Sequence, residues 1–161
     1  MKLLRHTIRR LIIETSEHIC DDFIVELEKR YEKRPQLGVD GLPVSERYYA
    51  FAKVFPDGCE VHFAMDALEY ENVYLNGIET VGDDCVRKGY ARDTLQSIFD
   101  LADEMGIWIL GEADPFDGKD GSSGDRPDLQ ELLSFYRSMG VKIVDGTDLE
   151  RAPQNAQTAA K

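Results

Sequence analysis

The chain has 161 residues, 42% hydrophobic and 31% charged, with a formal net charge of −12 at pH 7. That length fits one hydrophobic core, and that balance excludes a disordered chain. An acidic surface repels nucleic-acid phosphate, so no nucleic-acid partner is expected, and no apolar run reaches the roughly 20 residues that cross a bilayer. The charge is unevenly placed. Residues 1–10 hold Lys2, Arg5, Arg9 and Arg10 without an acid, whereas residues 100–150 hold 13 acids against Lys119, Arg126, Arg137 and Lys142. Such an acidic half serves solubility and also suits a cationic partner, an amine or a basic peptide. Cys20, Cys59 and Cys85 are odd in number and widely spaced, which speaks against a disulfide framework and for a reducing cytosol.

Residues 1–15 form a basic amphipathic segment. Leu4, Ile8, Leu11 and Ile12 have helical spacing, although "TIRRLIIET" also reads as a strand. The segment matches no secretory signal. It would lie on the domain with its charges in water, or bind a partner or a second copy, which leaves a homodimer open. Ser16 is a plausible N-cap for a helix to about residue 33, with Ile19, Phe23, Leu27 and Tyr31 on one face. Pro35, Gly38, Gly41 and Pro43 break it into a loop. "RYYAFAKVF" and "CEVHFAMDAL" then read as a hairpin around Pro56-Asp57-Gly58, and "NVYLNGIETV" as a third strand.

A helix follows in which Leu95, Ile98, Phe99, Ala102 and Met105 share a face, ended by Gly106. "IWILGEA" is a short buried-type strand, and Trp108 in it needs no role beyond packing. After the polar loop "DPFDGKDGSSGDRP", Asp128 and Glu131 form a capping pattern for "LQELLSFYRSM", which Gly140 stops. "VKIV" reads as the last strand, and residues 150–161 as a frayed tail. Residues 16–149 thus form one domain. The element order predicts an α/β (α+β) fold, a mixed sheet with helices on both faces.

Chemistry concentrates at "CVRKGYARDTL". A helix start presents unpaired N–H groups at the positive end of its dipole, and a phosphate there is stabilised by both. Gly89 lets a ligand approach the backbone, while Arg87, Lys88 and Arg92 add charge. Cations at that end oppose the dipole at a cost of a few tenths of a kcal/mol or more, so three of them point to an anionic ligand. The alternative is a turn glycine among surface cations. The glycine pattern is neither a Walker loop nor a dinucleotide fingerprint. Cys59 and His62 lack the second pair that zinc needs, Cys85 has no nearby histidine to make it a nucleophile, and the spacing of Asp114, Asp117, Asp120 and Asp125 is not that of a calcium loop. No metal is expected.

"NGIETVGDDCVRKGYARDTLQSIFDLADEMGIWILGEADP", followed by "LLSFYRSMGVKIVDG", resembles the GNAT superfamily of acetyl-CoA-dependent N-acetyltransferases over about residues 72–146. The family pattern is a strand, (Arg/Gln)-x-x-Gly-x-(Gly/Ala) opening a helix, a second strand, and a helix ending in a tyrosine-containing turn before another strand. Gly89-Tyr90-Ala91 fits Gly-x-Ala, and "FYRSMGV" fits the turn. Val86 stands where Arg or Gln is usual, with Arg87 one place later, and Val141 stands where an aromatic is usual.

The resemblance implies a GNAT-like mixed, mostly antiparallel sheet flanked by helices, and transfer of an acetyl group from acetyl-CoA to an amine, small molecule or protein, in a ternary complex. Pantetheine would bond to the backbone around Thr80 and Val81, and the pyrophosphate would sit on Arg87, Lys88, Gly89, Tyr90, Ala91 and Arg92. Tyr136 falls on the family's tyrosine and would be the acid, although its place in the stripe Leu129, Leu132, Leu133, Tyr136 also suits a core residue. Glu79 would be the base, with Glu112 and Asp114 as alternatives. The expected enzyme is a cytoplasmic acetyltransferase acting on a cationic amine. The alternative is an inactive binding or interaction module of the same fold.

Overall fold

The computed structural model describes residues 19–34, 48–115 and 126–154. The basic segment 1–15, the breaker loop from Pro35 to Pro43, Asp117 to Asp125 of the polar loop and residues 155–161 lie outside them. Helix α1 covers 19–30, and strand β1, Glu32–Arg34, follows where the helix was expected to run on. The hairpin is β2, Tyr48–Val54, and β3, Glu60–Ala67; β4 is Asn72–Val81. Next come α2, Tyr90–Met105, β5, Trp108–Glu112, α3, Leu129–Ser138, β6, Lys142–Ile143, and β7, Asp148–Arg151.

The seven strands form one sheet in the order β1-β2-β3-β4-β5-β7-β6. Every neighbouring pair is antiparallel except β4 and β5. This is the mixed, mostly antiparallel sheet flanked by helices that the resemblance implies.

Alternation sorts the strands into a core face and an outer face. Val61, Phe63, Met65, Val73, Leu75, Ile109 and Leu149 are buried on one side, while Glu60, His62, Asp66 and Tyr74 stand half-buried on the other. Helices were expected on both faces. Among the described residues they share the core face. Both crossovers, β4-α2-β5 and β5-α3-β6, link parallel strands and step the same way across the sheet, so one handedness puts both helices on one side. Tyr31, just after α1, meets Phe63 edge-on at 5.0 Å, which places α1 there too.

The tail begins later than expected. Glu150 and Arg151 belong to β7, and Arg151 is 5% exposed, clamped at 2.7 and 2.8 Å by both carboxylate oxygens of Asp103 on α2 and lying over the Phe99 ring. A buried arginine hides the apolar alternation that would have revealed the strand.

Candidate functional site

The site begins where β4 and β5 part. They pair from Asn72↔Trp108 to Leu75↔Gly111 and no further. Two local features set that limit. Between Met65↔Leu75 and Ala64↔Gly77 the β3–β4 register shifts, leaving Asn76 as an extra residue that bends β4. Opposite, a Cβ on Gly111 would lie 3.1 Å from the Leu75 carbonyl oxygen, tight enough that a side chain there would press the strands a few tenths of an ångström apart. Beyond this apex β4 runs on through Gly77, Ile78, Glu79, Thr80 and Val81, paired with β3 but not with β5.

Beneath the apex lies a small apolar cavity lined by Leu75, Phe99, Ile109, Tyr136 and Val141 among others. Tyr136 is 5% exposed, and burial pushes its phenol up to about 12. Glu79 lies across the sheet from it, opposite His62 on the outer face. Thr80, paired with Val61, points to the core side, and Val81 is largely exposed. Glu112 accepts from the Thr147 hydroxyl at 3.1 Å, and Asp114 is exposed. Tyr136 is thus brought to the apex, Glu79 to the free stretch of β4, and Glu112 and Asp114 to the end of β5.

From Val81 the chain turns through Gly82, a 3-10 turn over Asp83–Cys85, and Val86 to Gly89, the residue that opens α2. Three residues here have positive φ: Gly82 at 96°, Arg87 at 63° and Gly89 at 84°. For Arg87 this left-handed backbone costs on the order of 1 kcal/mol, strain of the sort found at ligand-binding loops. Gly89 makes no side-chain cap, so the first-turn N–H groups of α2 face outward without a side-chain acceptor. At α3, by contrast, Asp128 and Glu131 close the N-terminus with a reciprocal capping box. The start of α2 lies alongside α3: Arg87 reaches within 4.0 Å of Glu131 in the first turn of α3, and Arg92 donates to the Ser138 hydroxyl at 2.8 Å and lies over the Phe135 ring in its last turn.

The hairpin turn braces the other side. Lys88 Nζ is 3.3 Å from Asp57 Oδ2, the Tyr90 hydroxyl donates to the same oxygen at 2.6 Å, and the Tyr90 ring stacks on Phe55 at 4.0 Å. The Tyr90 hydroxyl, the Cys59 N–H and Lys88 together hold the Asp57 carboxyl below its usual pKa. Part of the positive charge at this helix start is therefore balanced within the chain.

Cys59 and Cys85 are joined by a disulfide, with Cα atoms 5.6 Å apart. The sequence reading missed this, and the pairing removes its ground for a reducing cytosol. It also commits Cys59, which cannot pair with His62 around zinc; His62 is within 2.7 Å of Glu60 instead. In the β3–β4 register Glu60 pairs with Val81, and the turn after Val81 brings Cys85 back beside Cys59, a juxtaposition that only that register reveals. Asp57 and Phe55, the braces of Tyr90, were also missed, Asp57 being read only as a turn residue and Phe55 only as the end of a strand. Among the described residues no group of His, Cys, Asp and Glu could hold a metal ion, and no helix is long and apolar enough to cross a membrane.

No protein-family model matches the chain, and no curated protein matches its sequence. Several solved structures are similar to it. One is the ribosomal-protein-S18-alanine N-acetyltransferase from Escherichia coli, at 15% identity over 82% of this chain and 86% of that one, with a TM-score of 0.46. Another is Tetrahymena GCN5, at 17% identity over 91% and 89%, with a TM-score of 0.44.

Proposed function

We propose that this chain is an N-acetyltransferase of the GNAT type that moves an acetyl group from acetyl-CoA to a cationic amine. The observation that carries the reading is the parting of β4 from β5 directly upstream of an uncapped, cation-flanked helix start. A free strand edge suits an amide-bearing arm such as pantetheine, through the backbone near Thr80 and Val81. The outward N–H groups of Gly89 to Arg92, with Arg87 and Lys88, suit a pyrophosphate. With Val86 in place of Arg or Gln, the main chain and Arg87 take that work.

Acetyl-CoA supplies the activated acyl group. Glu79, directly or through water, takes the proton that an ammonium must lose before its nitrogen can attack the thioester carbonyl. The C–N bond forms as the C–S bond breaks, and the departing sulfur needs a hydrogen-bond donor. Tyr136, with a phenol at about 12, keeps its proton throughout the physiological range and serves as that donor. The acidic half of the chain favours a cationic acceptor.

The test is release of free thiol from acetyl-CoA across an amine panel. Tyr136→Phe should lower kcat by about 100-fold while leaving acetyl-CoA affinity unchanged; full turnover would remove Tyr136 from the chemistry. A second reading, an inactive binding module of the same fold, is favoured by the burial of Tyr136 among apolar side chains. It predicts acetyl-CoA binding without turnover of any amine.

A further inference from the structure

The Cys59–Cys85 bond sits at the anchor of the phosphate seat. Cys59 immediately precedes β3, and Cys85 ends the 3-10 turn that leads into Val86, Arg87 and Lys88, so the bond ties the seat's loop to the sheet. The two sulfurs differ in surroundings. Cys59 is 3% exposed, and its Sγ lies 3.8 Å from Lys88 Nζ, whereas Cys85 is only half-buried. In thiol–disulfide exchange the incoming thiolate takes the sulfur it can reach, and the other leaves faster when its thiolate is stabilised, as by a nearby ammonium. Here the reachable residue is Cys85 and the stabilised leaving group is Cys59. The pair therefore has a built-in direction of attack.

We propose that Cys59–Cys85 is a reversible exchange site for small dithiols, and that its state sets how tightly the adjoining helix start holds the pyrophosphate of acetyl-CoA; the second part rests on the acetyltransferase reading. A dithiol thiolate attacks Cys85 Sγ, the S–S bond breaks, and its electron pair stays on Cys59. The second thiolate of the reagent then closes on the first sulfur and releases Cys85. The protein gains two electrons, the dithiol becomes a cyclic disulfide, and its two protons pass to the cysteines or to solvent. In a reducing compartment the disulfides that do form are typically transient and redox-sensing, which suits this site.

Reduction acts on the seat in two ways. The loop holding Arg87 and Gly89 in left-handed backbone loses its tie to the sheet. Lys88, already shared with Asp57, gains a second anion in the Cys59 thiolate, and both compete with phosphate for one ammonium. The oxidised form is the tight-binding form.

The experiment is calorimetric titration of the full chain with acetyl-CoA, after oxidation with glutathione disulfide and after reduction with dithiothreitol, each followed by desalting. Alkylation under denaturing conditions, read by mass, should find one thiol, Cys20, in the oxidised protein and three in the reduced one. The oxidised protein should bind roughly tenfold more tightly, the scale of one charge-assisted hydrogen bond. Cys85→Ser should bind like the reduced parent and ignore dithiothreitol; should it not fold, the two states of the parent decide. Equal Kd in both states, or three thiols after oxidation, would overturn the proposal and leave the acetyltransferase reading standing. Absence of binding in both states would overturn the two together.

Discussion

At Gly111 one absent methyl group sets how closely β4 and β5 approach before they part. The neighbour a side chain would strike is backbone, the Leu75 carbonyl oxygen, which is held on its strand and has little room to give. Gly111→Ala should therefore cost about 1–3 kcal/mol, read as a lower denaturant midpoint at unchanged slope. An unchanged midpoint would mean that β5 shifts freely, and the apex would lose its role in setting the cleft. Residues also differ in how openly the sequence announces them. Gly89 and its cations stood out because they oppose the ordinary preferences of a helix start. Gly111 looked like any glycine in an apolar strand, and Cys59 and Cys85 could be paired only once the β3–β4 register was known.

The helices beside the cleft illustrate opposite uses of an N-terminus. In α3 the Asp128 carboxylate accepts from the Glu131 N–H at 2.9 Å, and the Glu131 carboxylate accepts from the Asp128 N–H at 3.1 Å, so the end is closed. Asp128→Ala should lower stability by about 1 kcal/mol, measured by thermal or denaturant unfolding. Acetyl-CoA affinity should change little, because α3 does not supply the phosphate seat; a large loss of affinity would make α3's N-terminus part of it. Helix α2 has no such closure, and its N–H groups remain available. The D-x-x-E pattern was legible in the sequence, as were both helical faces and the β4 strand, since periodicity and capping are local. Strand β7 was not, because its inward residue is Arg151, whose burial depends on Asp103 about fifty residues earlier in the chain.

Across the whole molecule, the Asp103–Arg151 pair fastens the last strand to α2. Burial alone would raise the Asp103 pKa, but the paired N–H donors of Arg151 and the Gln154 N–H outweigh it and hold the carboxyl below its usual value. A depressed folded pKa means that this stabilisation is fully present above the unfolded value of about 3.9 and is lost as pH falls through the folded value. Asp103→Asn should remove about 3 kcal/mol at neutral pH by leaving a buried guanidinium unpaired. Its acid limb of stability below about pH 4 should be shallower than the parent's; an identical limb would assign acid unfolding to other carboxylates.

The central claim is that the start of α2, with Arg87 and Lys88, holds the pyrophosphate of acetyl-CoA. Calorimetric titration of the oxidised parent and of the Arg87→Ala, Lys88→Ala double variant tests it most directly. The account predicts saturable one-site binding by the parent and a Kd at least about 10-fold weaker in the variant, with unfolding free energies within about 0.5 kcal/mol of each other. Equal affinity in the two proteins would contradict the placement of the phosphates, and no binding by the parent would contradict the acetyltransferase reading itself.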